Sequence, residues 1–199
     1  MVDLPVTDIE LEGMDENLVQ ALMMAEVVKR VLLKRAEIRL YQKPAIQKKE
    51  IVEFRQRMRV SGVTKFQDKT YIATVNFYKN AKDLMSQFPV GALVLYVPET
   101  YVDILMKKLQ YPVFDLDDEE QLKDACGTFC NLIAGNFNTG LISLGYSQLE
   151  MSHFSTYEND ILNGVEIPAD QKYFYEISFT IDGEVKIVID YIMGPIPRS

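Results

Sequence analysis

The sequence predicts an α+β fold: a two-layer domain in which helices pack on a largely antiparallel sheet. Two amphipathic helical segments and a C-terminal hairpin point to it. So does the element order, helix, strands, helix, helix, strand, hairpin, which groups the last strands without intervening helices and so disfavours a doubly wound parallel sheet. With 199 residues, 48% of them apolar and 25% charged, the chain has the makings of one globular core. Residues 14–193 are expected to form that single domain, between an N-terminal tail at 1–13 and a C-terminal tail at 194–199.

Residues 14–40 read as the first helix, because Leu18, Ala21, Leu22, Ala25, Val28 and Leu32 recur every three or four positions, and Pro44 marks its end region. Met14, Met23 and Met24 suit adaptable packing in or near it. Residues 51–61 change to a period of two, with Val52, Phe54, Met58 and Val60 on one side of an expected strand and Glu53, Arg55, Arg57 and Arg59 on the other. Tyr71 to Tyr78 and Gly91 to Val97 are β-branched and aromatic enough for two more strands, the second of them central. Glu99 to Gln110 forms a short helix, closed by Tyr111 before Pro112. The acidic stretch Asp115 to Glu120 offers Asp117 and Asp118 as N-caps for the next helix, over 119–138. Gly140 to Met151 is expected as a strand and Ser152 to Lys172 as a long polar loop. The final hairpin alternates from Tyr173 to Ile181, turns at Asp182-Gly183, and alternates again from Val185 to Tyr191.

The formal net charge of −8 repels phosphate backbones and anionic lipid, so neither nucleic acid nor membrane is an expected partner. The beginning MVDLPVTDIELEG lacks the basic start and apolar stretch of a secretory signal, and no apolar run approaches the ~20 residues of a membrane span. A cytoplasmic protein is expected. Two cysteines, Cys126 and Cys130, one helical turn apart, suit burial better than a disulfide framework, and a single histidine argues against a protein-built zinc site. No Gly-rich phosphate loop, no nucleophile with a nearby histidine and no calcium loop is present.

The informative element is the helix near 119–138. Leu122, Ala125, Cys126, Phe129, Leu132 and Ile133 form its apolar stripe, while Asp124, Thr128 and Asn131 lie together on the far side. Gly127 and Gly135 lie on or at the edge of that polar face; each costs the helix roughly 1 kcal/mol relative to Ala, so the face is expected to be closely approached by something.

The stretch DACGTFCNLIAGNFNTGL resembles the signature helix of the CheX/CheC family of chemotaxis phosphatases. Asp124 and Asn131 stand at the family spacing, Thr128 stands in place of the family's Glu, and Phe154 in place of its Pro. No second copy of the motif is found, which resembles the single-site CheX branch. The resemblance implies a CheX-like domain that docks Asp124, Thr128 and Asn131 on a CheY-type response regulator. It further implies that Asn131 would orient a water on the regulator's aspartyl phosphate. Any Mg2+ would be supplied by the regulator, the protein having no cofactor of its own, and a homodimer through sheet edges is expected, with the C-terminal hairpin a candidate for that edge. An amide both donates and accepts, so Asn131 suits water positioning, whereas the Thr128 hydroxyl is short and uncharged and gives up a charge-assisted contact of roughly 1.5–3 kcal/mol. The expected function is therefore a non-catalytic or weakly active binding module in two-component signalling; the alternative is an active aspartyl-phosphate phosphatase. His153, beside Phe154, and the arginines 55, 57 and 59 are read as surface groups.

Overall fold

A computed structural model of the chain describes residues 15–111 and 118–198. The first helix, α1, spans Glu16–Ala36; the Asp15 side chain caps it by accepting the Asn17 N–H, and Lys34 and Arg35 sit favourably in its last turn. Ala21, Ala25, Val28 and Leu32 of the expected stripe are buried and Leu18 and Leu22 half-buried, with Met23 and Met24 fully enclosed; Met14 lies outside the described residues. The chain then enters β1 (Ala45–Glu50), whose sequence AIQKKE carries no apolar alternation because both its faces are partly exposed.

The strand expected over 51–61 is instead a hairpin, β2 (Glu53–Phe54) and β3 (Arg57–Ser61). Arg55 and Gln56 form its turn with φ of 52° and 60°, a left-handed pair that the sequence does not signal with glycine. The fold-back sets Phe54 opposite Arg57 and Glu53 opposite Met58. Met58 and Val60 therefore go inward while Val52 and Phe54 stay exposed.

The sheet continues with β4 (Thr70–Tyr78) and β5 (Gly91–Pro98), separated by the short helix α2 (Ala81–Met85). Helix α3 (Glu99–Lys108) follows, and then α4 (Glu119–Ser143). Asp118 caps α4, accepting the N–H groups of Glu120 and Gln121; Asp117 lies outside the described residues. Helix α4 runs through Gly140, where a strand was expected to start. That glycine is a point of close packing, since a Cβ there would stand 2.9 Å from Met23 Sδ. Only β6 (Glu150–Met151) remains of the expected strand. The expected loop of 152–172 contains two strands instead, β7 (Ser155–Glu158) and β8 (Asp160–Glu166). The last hairpin forms as read, with β9 (Tyr173–Ile181) and β10 (Glu184–Met193) joined by Asp182 and Gly183, both at positive φ.

The main sheet has seven strands in the order β1-β9-β10-β5-β4, with β6 and β7 both pairing on the far side of β4, and every described pairing is antiparallel. The helices cover one face, burying Tyr71, Ala73, Val75 and Phe77 of β4 and Leu93, Leu95 and Val97 of β5 beneath α1, α3 and α4. Phe137 of α4 packs edge-on between Phe77 and Tyr191, at centroid distances of 5.8 and 5.3 Å. The α+β reading with helices on an antiparallel sheet holds. The opposite face is covered as well, by the small sheet β2-β3-β8, which encloses Ile72, Val94, Tyr96 and Val188 with Met58, Val60, Ile161 and Val165. Two-sided cover is why β5 is apolar throughout and β4 largely so.

A buried ionic cluster ties the connection between β3 and β4 to the large sheet. Lys65 Nζ lies 2.7 Å from Asp190 Oδ1 and 2.5 Å from Glu176 Oε2, and Tyr96 donates to the other Asp190 oxygen at 2.7 Å. Burial pushes the Asp190 carboxyl up while Lys65 pulls it back. Beyond β10 the chain returns to the core, with Ile196 buried and the Ser147 N–H donating to Pro197. The hairpin β9-β10 is internal, paired on both sides by β1 and β5. It therefore cannot be the sheet edge through which a second copy would pair.

Candidate functional site

Helix α4 gains its orientation from the core stripe: Leu122, Ala125, Cys126, Phe129 and Ile133 are buried. Rotation by about 100° per residue then leaves Asp124, Thr128 and Asn131 on the outside, and all three are exposed. Among the described residues none of the three side chains makes a hydrogen bond or ion pair, so carboxylate, hydroxyl and amide all face outward uncommitted. Glu120, one turn upstream, is already engaged by Lys123 at 2.9 Å. At the start of α4, Lys69 gathers Glu99 at 3.4 Å, Glu158 at 3.5 Å and Glu119, pinning α3, β7 and α4 to one another. The Glu119 hydrogen bond, against some desolvation, holds the lysine above its ordinary range.

The close approach that the glycines imply is made at Gly127 by the chain itself. The half-buried ring of Phe154 lies against this glycine so tightly that a Cβ there would come within 2.2 Å of Cδ2 and 2.4 Å of Cε2. Phe154 thus forms a rim along one side of the exposed face, followed outward by His153, whose ring lies 4.6 Å from that of Phe154. Asn138 is buried rather than part of the polar face: its amide donates to the Leu149 carbonyl at 2.7 Å and accepts the Leu149 N–H at 3.1 Å. It anchors the segment leading to β6 and on to Phe154. Gly135 has nothing within 4 Å of a would-be Cβ, so that part of the face is open.

The chemistry available to this face is positioning and binding. Burial pushes the Cys126 thiol up to about 12 and Cys130 well above its ordinary range, so neither is a nucleophile. Among the described residues no group of His, Cys, Asp or Glu is arranged to hold a metal ion. Of the arginines read as surface groups, Arg57 pairs with Glu166 at 2.8 Å and Arg55 stacks over Phe54 in the hairpin turn. Sequence reasoning missed the Phe154 rim, although a glycine at 127 on the face of an amphipathic helix is the signal that locates it. No helix among the described residues is long and apolar enough to cross a membrane.

A helix layer over a wide antiparallel sheet defines the class of fold, and several solved structures similar to it are described as chemotaxis proteins. The chain is similar to CheX from Desulfovibrio desulfuricans, with 14% identity, a TM-score of 0.55, and coverage of 88% of this chain and 99% of that one. FliY from Thermotoga maritima gives 13% identity and a TM-score of 0.57 over 95% and 92% of the two chains. A complex of CheX with CheY, BeF3 and Mg2+ from Borrelia burgdorferi gives 13% identity and a TM-score of 0.50 over 88% and 98%. No family model and no curated protein sequence matches the chain. The fold is that of the CheX/CheC-like chemotaxis proteins.

Proposed function

We propose that this chain docks the exposed face of α4 on a CheY-type response regulator as a binding module with little or no phosphatase activity. The observation that carries the reading is the outward, uncommitted placement of Asp124, Thr128 and Asn131. It is supported by a fold shared with CheX, one example of which is held in complex with CheY. Asn131 has the donor and acceptor to orient a water on the regulator's aspartyl phosphate. The position of Thr128 lacks a carboxylate, and Glu120 is drawn toward Lys123, so this chain has no charged group at the centre of the face to complete the constellation. Phosphoryl transfer depends on positioning and charge, so losing one such contact lowers the rate by orders of magnitude while leaving docking intact. Mg2+ enters with the regulator. A second copy would pair along β1, one of the two ends of the sheet.

The test pairs binding with turnover. Phosphorylated CheY-type regulators are expected to be retained by the protein with their decay little changed, and Asn131→Lys should abolish retention. Accelerated decay that disappears in Asn131→Ala would replace the binding-module reading with the phosphatase one, and failure to bind any regulator would remove both.

A further inference from the structure

The segment that borders the exposed face of α4 breaks the regular pairing of the sheet. Along β4, Phe77 stands opposite Met151 of β6 and Thr74 opposite Ser155 of β7. Ser152, His153 and Phe154 therefore face only Val75 and Asn76, one residue too many for a regular ladder, as in a β-bulge. Ser152 still pairs with Asn76, its N–H donating to the Asn76 carbonyl at 2.9 Å and its hydroxyl accepting the Asn76 N–H at 3.0 Å. The irregularity thus falls at His153 and Phe154.

Side-chain alternation shows what the extra residue does. Met151 shares the helix-covered side of the sheet with Phe77, so in a regular strand His153 would follow on that side and Phe154 would turn to the other. With the extra residue, Phe154 lies on the helix side, against Gly127 and the core to which Val75 and Phe77 belong. His153 is left exposed, its ring 4.6 Å from that of Phe154 and its Nδ1 3.2 Å from the Phe154 carbonyl oxygen. The ring is held by its seat on Gly127, by the Ser152 pairing with Asn76 and by the Asn138 clamp on Leu149, yet it stays half-buried. A rigid aromatic group with part of its surface in solvent offers contact area at little cost in conformational entropy, which is why aromatics are the common anchors of interfaces.

We propose, resting on the regulator-docking reading above, that Phe154 with His153 stacked on it is the specificity-determining part of the α4 face. Its open edge seats an aliphatic side chain of the regulator, while Asp124, Thr128 and Asn131 supply the polar contacts beside it. A regulator with a charged group at that place must desolvate it against the ring, and selection among regulators follows from that difference. The bulge is the device that aims the ring, a use that bulges have beside functional sites.

The experiment uses CheY-type regulators from the same organism, loaded with beryllofluoride and Mg2+, and the full chain with isotope-labelled phenylalanine. In the saturated complex, nuclear Overhauser effects are expected between the Phe154 ring and aliphatic protons of the regulator. Phe154→Leu should weaken binding at least about fivefold, the low end of what an aromatic anchor carries. His153→Ala, at an exposed position that leaves the fold intact, should weaken it about twofold or more by freeing the ring it stacks on. A complex that Asn131→Lys abolishes but that shows no contact to the Phe154 ring, or that both rim variants bind as tightly as the parent does, would overturn this inference and leave the docking reading standing. A wild-type chain that holds none of the regulators would overturn both.

Discussion

Replacing Gly127 by alanine is expected to destabilise this protein even though the position is in a helix interior. In an open helix the exchange stabilises by about 1 kcal/mol, because alanine restricts the unfolded chain and is the best helix former. At Gly127 the new methyl would come within 2.2 Å of Phe154 Cδ2 and 2.9 Å of Cγ, so the root of the ring as well as its edge would have to move. Overpacking of this kind costs about 1–3 kcal/mol, and displacing a half-buried phenylalanine loses on the order of 1 kcal/mol of burial. The net expectation is a loss of about 1 kcal/mol once helix propensity is credited. Gly135→Ala, on the same helix with nothing within 4 Å, is the internal control and should gain up to about 1 kcal/mol. The two variants should therefore melt about 4–8 °C apart, at roughly 2–4 °C per kcal/mol for a chain of this size. Urea or thermal unfolding reads this directly. In a Phe154→Ala background the clash is gone and Gly127→Ala should become favourable, giving a coupling of about 2 kcal/mol in the double-mutant cycle. A coupling below about 0.5 kcal/mol, or a Gly127→Ala protein more stable than the parent, would refute the seating of Phe154 on Gly127.

Thr128→Glu returns a carboxylate to the centre of the α4 face and should accelerate dephosphorylation of whichever regulator the protein binds, measured as decay of the phosphorylated regulator; no acceleration with a bound regulator would count against the water-positioning role of Asn131. Lys65→Met leaves Asp190 buried without its cation, while Glu176 keeps Lys49 at 2.6 Å, and should cost about 3–5 kcal/mol in urea unfolding, with partial recovery when Asp190→Asn is added; a loss under about 1 kcal/mol would mean that the cluster does not fasten the β3–β4 connection to the large sheet. Asn138→Ala strands the backbone N–H and carbonyl of Leu149 and should cost about 2–3 kcal/mol, read in the same assay. Cys126 and Cys130 should resist a thiol reagent at pH 8 in the folded protein and react fully in denaturant, since burial raises both thiols well above their ordinary range; rapid labelling of the native protein would show that α4 opens locally.

Much of this architecture is legible in the residues where burial is one-sided. Helix α4 shows its buried stripe because one face meets the core and the other meets solvent, and β9-β10 shows alternation with an Asp-Gly turn for the same reason. The reading fails where a local rule is broken by a tertiary contact. Gly140 looks like the end of a helix until Met23 is seen to need its missing side chain, and Arg55-Gln56 turns at positive φ with no glycine to announce it. Strands β7 and β8 read as polar loop, and β1 gives no strand signal, because each buries two residues or fewer, being edge or covering strands. At the site, the exposure of Asp124, Thr128 and Asn131 follows from periodicity alone. Their Phe154 rim does not, since it depends on a segment outside α4 held in place through Asn138 and Leu149.

The most direct measurement is the affinity of this protein for phosphorylated CheY-type regulators, taken with the wild-type chain and with Asn131→Lys, while the decay of the aspartyl phosphate is followed in the same samples. Saturable binding that Asn131→Lys abolishes, with decay close to that of the regulator alone, is the predicted result. Binding that survives Asn131→Lys unchanged, or no binding to any such regulator, would contradict the assignment of α4 as the docking face.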